Sequence, residues 1–313
     1  KGDATIIVTA DDFSSNPVSA SCEIGVKIVT PITGMTFTED TELNQLGYGQ
    51  EYQIKYTLEP VDATASLLTW ASDNPEVISV DKTGKLKVHT TKTASAVITA
   101  SYGPVVQNVT VTVADGRFWY SLGNGLGNGL DNNWYLDGNN ASVVSSDGNK
   151  TTVQMGSGYR GDLWLARSGK GKIVNVTPAD YRYFAIKVGF KSQLVPGKNK
   201  PNGCIKLEIF DDGIKKIGPE YFGTGGDANN RYEILGASEI STTEPNVLYY
   251  DLQSKYKTVT PTDWNQVFDL VQCKFVIADF PETAQTYDLY WIRSFKSIEE
   301  LQAFVDSENN TNE

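Results

Sequence analysis

Hydrophobic and polar residues alternate with a period of two along most of this chain, which is the pattern of half-buried β-strands. Residues 30–115 carry short alternating runs, such as Tyr52, Ile54, Tyr56 and Leu58, separated by the turn sequences EPVDATAS, SDNPE and DKTGK. The later part has longer runs: YFAIKVGF, CIKLEIF, NVLYYDLQ, CKFVIADF and TYDLYWIRSF. Such strands with Gly and Pro turns are typical of β-sandwiches. We therefore predict an all-β protein.

The specific prediction is an Ig-like β-sandwich followed by a larger, jelly-roll-like β-sandwich with a short C-terminal helix. Ser297 and Glu300 form a capping box that starts this helix. Its apolar face is Leu301, Phe304 and Val305. We expect the polar tail after Asp306 to fray, and a further short helix near Trp264.

In the last predicted strand, alternation places Tyr287, Leu289 and Trp291 on one face and Asp288, Tyr290 and Ile292 on the other. We therefore expect Trp291 to lie in the core of the sandwich.

The first third of the chain repeats itself. ATIIVTA at 4–10 matches ASAVITA at 94–100, and VSASCEIGV at 18–26 matches the valine-rich stretch at 105–113. The second copy is complete and the first is only its closing hairpin, so we expect that repeat to begin upstream of residue 1.

Residue types divide the chain near residue 116. Arg117 is the first arginine, and Trp70 is the only tryptophan before that point. We predict three parts: a C-terminal fragment of an Ig-like repeat at 1–29, a complete Ig-like unit at 30–115, and a β-sandwich at 116–313.

Net charge limits the partners. The formal charge of −11 argues against nucleic acid, whose phosphates need clustered Lys and Arg. The same sign disfavours an anionic membrane surface, and no apolar run approaches the roughly 18–20 residues that cross a bilayer. We predict neither nucleic-acid binding nor membrane insertion by this chain.

Catalytic and metal chemistry has little support in the sequence. The one histidine, His89, lies in a strand of the Ig-like part, which argues against a triad or a His-based zinc site. Two carboxylates among 38 acidic residues would serve a glycosidase, but no hydrolase signature surrounds them. We therefore predict no enzyme and no cofactor.

Two further features leave alternatives open. A structural calcium ion on Asp211, Asp212 and Asp227 would suit a jelly roll, although no motif supports it. We interpret the three cysteines as small core residues: Cys22, Cys204 and Cys273. The sequence leaves open whether a disulfide links Cys204 and Cys273.

The stretch RFWYSLGNGLGNGLDNNWYLDG at 117–138 is the first candidate site. Its glycines do not form the G-x-G-x-x-G motif of dinucleotide-binding proteins, because Asn128 stands where the third glycine would be. The flanking aromatics suit sugars, whose C–H faces stack on flat rings while amides and carboxylates bind their hydroxyls. The predicted binding aromatics are Trp119, Trp134 and Tyr135. The alternative is a structural role, in which these aromatic side chains pack at the edge of the sandwich or at the joint between the two parts.

GYRGDLWLAR is the second candidate site. If Leu163 and Leu165 face the core, then Arg160, Asp162 and Trp164 share the other face of the strand. With the adjoining Tyr159, they form a predicted sugar platform. The alternative is a surface ion pair beside a core or edge tryptophan.

Two family resemblances add to this interpretation. YTLEPVDATASLLTWASDNPEVISVDKTGKLKV, with ASAVITA and the strand that follows, resembles the bacterial Ig-like group 2 domain (BIG2). GYRGDLWL, AIKVGF, VLYYDLQ, FVIADF and the ending TYDLYWIRSFKSIEELQAF resemble carbohydrate-binding sandwich domains on surface lipoproteins of the Bacteroidetes, with polysaccharide-utilization roles. The resemblances imply a spacer and a carbohydrate-binding module.

We therefore predict an exported, non-catalytic, cell-surface protein, with an outer-membrane lipoprotein anchor implied, that binds an oligo- or polysaccharide. Its implied partners are a glycan transporter of the outer membrane or a surface hydrolase. The alternatives are a structural or adhesive surface protein and an accessory region of a glycoside hydrolase.

Overall fold

The computed structural model is an all-β protein with a C-terminal α-helix, as predicted. It describes residues 2–10, 18–26, 29–129, 133–137, 141–156, 160–167, 174–192, 206–211, 215–217, 232–253, 264–278 and 285–310.

The strands that begin before residue 116 are short except at the start and end of this part. They are β1 (Gly2–Ala10), β2 (Val18–Val26), β3 (Gly34–Phe37), β4 (Leu46–Tyr48), β5 (Glu51–Gln53), β6 (Tyr56–Glu59), β7 (Thr69–Ser72), β8 (Ile78–Val80), β9 (Lys85–Val88), β10 (Ala94–Tyr102) and β11 (Val105–Ser121). Short 3-10 helices span Thr41–Asn44 and Ala65–Leu67.

These strands form a hairpin and a small sandwich. β1 pairs with β2, β3 with β6, and β9 lies between β5 and β8. β10 lies between β7 and β11, and β4 runs parallel to β11. The core around β4, β8, β9, β10 and β11 contains the alternating apolar residues that the sequence pattern predicts, with Trp70 packed against it.

The second part of the chain forms two sheets. Its strands are β12 (Tyr135–Asp137), β13 (Ser142–Ser146), β14 (Thr151–Gln154), β15 (Arg160–Ala166), β16 (Val174–Val176), β17 (Tyr183–Phe190), β18 (Lys206–Asp211), β19 (Lys215–Ile217), β20 (Glu233–Ile234), β21 (Asn246–Asp251), β22 (Phe268–Ala278) and β23 (Thr286–Phe295). The first sheet has the order β20-β21-β17-β23-β11, with β14 also on β23 and β13 on β14. The second has the order β12-β15-β22-β18-β19, with β16 on β22.

The main core lies between these two sheets and is aromatic. Phe184 from the first sheet and Phe275 from the second have ring centroids 5.7 Å apart. Trp264 lies in a turn and packs against this core. The short helix predicted near it is wrong over residues 264–267, because these form a turn that leads directly into β22; residues 254–263 lie outside the described residues.

Helix α1 (Ile298–Asn310) follows β23 directly. The predicted helix start at Ser297 is confirmed, because the Glu300 backbone N–H donates to Ser297 Oγ at 3.2 Å. The return bond of the capping box differs from the prediction, since the Glu300 carboxylate accepts from the Lys296 N–H at 2.6 Å and not from the Ser297 N–H. Leu301 is fully buried against the outer face of the first sheet, in a second cluster with Trp291 and Phe295.

Strand β11 joins the two parts without a flexible connector. It pairs with β10 in the first part and with β23 in the second. Gly116 marks the joint with a φ of +68°, and a Cβ there would lie 2.3 Å from Thr177 Oγ1, so glycine is required for both reasons. The predicted boundary between 115 and 116 stays a prediction.

Side chains from both parts meet at this joint. The buried Arg117 guanidinium forms an ion pair with Glu42 at 2.9 Å, and Thr91 Oγ1 donates to Asn175 Oδ1 at 2.6 Å. Tyr48 packs into the core of the second part, with its ring 5.4 Å from that of Tyr120. Ion pairs, hydrogen bonds and aromatic contacts therefore all cross the joint.

Candidate functional site

The strand GDLWLA has the two faces predicted for it. Leu163 and Leu165 are fully buried in the core, while Asp162 and Trp164 lie on the outer face of the second sheet. Tyr135 lies directly opposite Trp164 on the neighbouring strand. The Arg160 side chain and all of Tyr159 lie outside the described residues.

The charged groups on this outer face are paired with one another. The Lys274 ammonium lies 2.9 Å from Asp162 and 3.0 Å from Glu208, and 4.4 Å from the Trp164 ring centroid. All four residues are buried, and Trp164 is only 8% exposed. We call these four residues the Lys274 cluster. Its polar groups already have protein partners, and the sugar-binding role of Asp162 and Trp164 stays a prediction.

Trp134 differs from the prediction of an exposed sugar-binding ring. It is fully buried between the sheets, with ring centroids 5.6 Å from Phe275 and 6.1 Å from Tyr120. A ring without accessible surface cannot stack on a sugar, so Trp134 closes the core. Its neighbour Tyr135 is half-buried, and burial raises the pKa of its hydroxyl.

The glycine and asparagine run is a loop that braces a neighbouring turn. Gly123 O accepts from Gly148 N at 3.0 Å, and a Cβ on Gly123 would lie 2.2 Å from Gly148 O. Glycine is therefore needed for this close approach. The loop holds the Gly148–Asn149 turn against the first sheet.

An open groove of about 710 Å³ lies on the outer face of the first sheet. Its floor is a row of directly paired residues from four adjacent strands: Ser121, Trp291, Lys187 and Val247. The Gly148–Asn149 turn, residues 244–245 and the last turns of α1 form its rim. The volume lies within the range of small-molecule sites.

A β-bulge at Tyr290 builds this floor. On β17, Lys187 pairs with Trp291 and the next residue, Val188, pairs with Leu289, so Tyr290 is the extra residue. Tyr287 and Leu289 therefore face the main core before the bulge, whereas Ile292 faces it afterwards. Trp291 is buried as predicted, but the predicted faces of Trp291 and Ile292 are both wrong. Trp291 lies beneath α1 in the outer cluster, and Ile292 lies in the main core.

Glu308 fixes one wall of the groove. Its Oε2 accepts from Trp291 Nε1 and from Lys187 Nζ, each at 3.1 Å. The prediction of a frayed tail after Asp306 is wrong over this segment, because α1 continues to Asn310. An acidic residue in a polar tail carries no sequence signal that would have identified this contact.

Arg293 lines the groove with its guanidinium among three aromatic rings. Its guanidinium carbon lies 4.3 Å from the ring centroid of Phe304, 4.4 Å from that of Trp119 and 5.4 Å from that of Trp291. The Nε atom is buried without a hydrogen-bond partner. Burial lowers the pKa of Arg293 to about 10, so it is still a cation at neutral pH.

Trp119, a predicted binding residue, is half-buried beside this groove. Arg117 also stacks on it, 4.5 Å from the ring centroid, and Phe304 packs against it. Its contacts position Arg293 at the floor of the groove. The predicted sites thus form three separate environments: the core, the Lys274 cluster and the flank of the groove.

The other predicted chemistry is only partly covered by the structure. Across the described residues, no group of three or more His, Cys, Asp or Glu side chains is arranged to hold a metal, and Asp212 and Asp227 lie outside those residues. Cys273 is buried in the core and Cys204 is outside the described part. None of the helices in the described ranges is long and apolar enough to cross a membrane.

Fold and groove together define a two-sheet β-sandwich with a preformed surface groove. Residues 125–301 match the family described as Domain of unknown function (DUF4979), and this chain belongs to that family. The comparison with curated proteins found no match.

Two solved structures, both of Clostridium perfringens ZmpB, are similar in part. One contains the M60 catalytic domain with the CBM51-1 and CBM51-2 domains: it is 12% identical, with a TM-score of 0.24, and the similarity covers 90% of this chain and 24% of that one. The other contains the CBM51-2 and INT domains: it is 12% identical, with a TM-score of 0.20, and the shares are 82% and 48%.

Proposed function

We propose that this protein is a non-catalytic, cell-surface glycan-binding protein. The sugar lies in the groove of the first sheet, held by aromatic stacking and polar anchoring, and the N-terminal Ig-like unit is a spacer. Export, a lipid anchor, and a glycan transporter or surface hydrolase as partner belong to the same proposal. They are supported by the resemblances of the sequence to BIG2 domains and to surface lipoproteins of the Bacteroidetes.

The observation that carries the proposal is the composition of the groove. Tyr290 is partly exposed, and Asn149 and Asn309 are exposed on the rim. A sugar offers an apolar C–H face and a rim of hydroxyls, so it needs a flat ring beside amide and charged groups. The groove brings these groups together from β23, the Gly148–Asn149 turn and α1.

The packed joint supports the spacer role. The Arg117–Glu42 ion pair and the aromatic contact of Tyr48 with Tyr120 link the two parts. A linked spacer would hold the groove at a defined distance from an anchor, and several weak sites on one surface would bind a polysaccharide with avidity.

The test is affinity electrophoresis of the chain through gels that contain plant, fungal and host polysaccharides. We expect at least one polysaccharide to retard the chain. Tyr290→Ala should weaken that binding roughly tenfold, because an aromatic contact contributes about 1.5 kcal/mol. Circular dichroism would verify that the variant is folded.

Trp164→Ala is the matched control, since it removes a predicted aromatic from the other sheet. Loss of retardation in Trp164→Ala but not in Tyr290→Ala would move the site to the second sheet. No retardation in any gel would favour a structural or adhesive protein. Release of reducing sugar from the retarding polysaccharide would contradict a non-catalytic role.

A further inference from the structure

Arg293 differs from the cations around it because no carboxylate of the described residues forms an ion pair with it; Glu308 and Glu42 act on its charge only at longer range. Arg117 pairs with Glu42 at 2.9 Å, and Lys187 pairs with Glu308 at 3.1 Å. Within the described part of the chain, Arg293 makes neither an ion pair nor a hydrogen bond; its contacts are with aromatic rings.

An unpaired guanidinium in a groove is a binding group for an anion. A guanidinium presents its N–H groups in a planar fork that fits the two oxygens of a carboxylate or a sulfate ester. The rings of Trp119 and Phe304 hold this fork in place, so little side-chain entropy remains to be lost on binding.

The carboxylates of the groove leave Arg293 available. Glu308 is engaged by Lys187 and by the Trp291 N–H. Glu244 lines the rim and is exposed to water. The groove therefore holds one ion pair, Lys187–Glu308, and one guanidinium, Arg293, that carboxylates influence only at longer range.

We propose that the groove selects acidic glycans, with the carboxylate or sulfate ester of a sugar bound to Arg293 while a sugar ring stacks on Tyr290. This inference rests on the proposed function, since it names the class of glycan that the same groove binds. The net charge of −11 on the whole chain opposes polyanions in general, so the selectivity arises locally at Arg293.

The first test compares ligands on the unmodified chain. Polygalacturonate is compared with its carboxyl-reduced form, and a sulfated galactan with its desulfated form, by affinity electrophoresis and calorimetry. We expect one anionic member to bind roughly tenfold or more tightly than its neutral counterpart, because a hydrogen bond to a charged group contributes about 1.5–3 kcal/mol. The pair that shows the difference identifies the anion.

The second test compares variants. Arg293→Met should remove the preference for the anionic ligand, and Glu244→Gln should strengthen acidic binding slightly, because it removes a repulsive charge from the rim. Arg182→Met is the control for loss of one positive charge, since Arg182 pairs with Asp251 at 2.6 Å and does not line the groove. The difference between the Arg182 and Arg293 variants is the readout.

Each outcome has a distinct meaning. Equal binding of neutral and anionic partners, with loss in Tyr290→Ala, would overturn the acidic selectivity and leave glycan binding intact. An anionic preference that survives Arg293→Met would also overturn it. Absence of binding to every polysaccharide would overturn both proposals.

Discussion

Each outer face of the C-terminal sandwich holds a cation against a tryptophan, Lys274 buried and Arg293 partly buried, but the two cations differ in how their charge is compensated. On the second sheet, Lys274 lies between Asp162 and Glu208 and stacks on Trp164. On the first sheet, Arg293 stacks on Trp119, and no carboxylate in the described part of the chain lies within ion-pair distance of it. The first arrangement is complete without a ligand, whereas the second leaves a donor group unused.

This difference separates a structural cluster from a binding site. Burying an ion is costly unless hydrogen bonds and opposite charges compensate for the lost hydration. The Lys274 cluster supplies that compensation from within the chain. At Arg293 a ligand would supply it, which is why we place the proposed site there.

Lys274→Met gives the largest effect that we predict. It removes the ammonium that lies between the buried carboxylates of Asp162 and Glu208, and we expect a loss of about 3–5 kcal/mol in the free energy of unfolding. Urea titration monitored by tryptophan fluorescence measures this loss. The triple variant Lys274→Met, Asp162→Asn, Glu208→Gln should recover most of it, and a change below about 1 kcal/mol in the single variant would contradict internal compensation.

Arg293→Met should have a much smaller effect on stability. The variant loses cation–π contacts worth about 0.5–2 kcal/mol but also removes a buried Nε that has no partner. We therefore expect the free energy of unfolding to stay within about 1 kcal/mol of the parent. The same urea titration applies. A loss as large as that of Lys274→Met would mean that Arg293 is a structural cation too.

The smallest effect that we predict is a pH dependence of the free energy of unfolding, which arises from Asp288. Burial raises the pKa of Asp288, but hydrogen bonds from Lys150, Thr152 and Lys191 outweigh burial and hold the pKa below its usual value. A lowered folded-state pKa stabilises the fold above the unfolded-state value of about 3.9, and this stabilisation is lost as pH falls through the folded-state pKa.

Asp288→Asn should therefore lessen the fall in unfolding free energy below about pH 4 and leave its slope near neutral pH unchanged. Urea titrations across the acid range, with parent and variant in parallel, measure this. An identical acid slope in both proteins would show that Asp288 does not contribute to acid sensitivity.

Several local features could be predicted from the sequence because neighbouring residues determine them. Leu163 and Leu165 face the core as alternation predicts, since successive side chains on a strand point to opposite faces. Helix α1 starts at Ser297 as predicted, with the Ser297 hydroxyl oxygen accepting from the Glu300 N–H. Both signals depend on residues within a few positions of each other.

The candidate site could not be predicted in the same way. Alternation gives the wrong face for Trp291 because the bulge at Tyr290 shifts the register between β17 and β23. Trp134 looks like an exposed aromatic beside polar residues, yet Phe275, more than 100 residues later, packs against it in the core. In the sequence, Glu308 belongs to a polar tail; in the structure, helix α1 places its carboxylate beside Lys187 and Trp291.

The sequence by itself therefore determined an all-β chain, the inner face of β15 and the capped terminal helix, because strand periodicity and helix capping are local. Tertiary structure decided which charges are paired and which remain open. Lys274 meets Asp162 across 112 positions of sequence, and Arg293 meets Trp119 across adjacent strands. Whether a charge is compensated depends on the atoms within a few ångströms of it. Only the pairing of strands that are distant in sequence brings those atoms together.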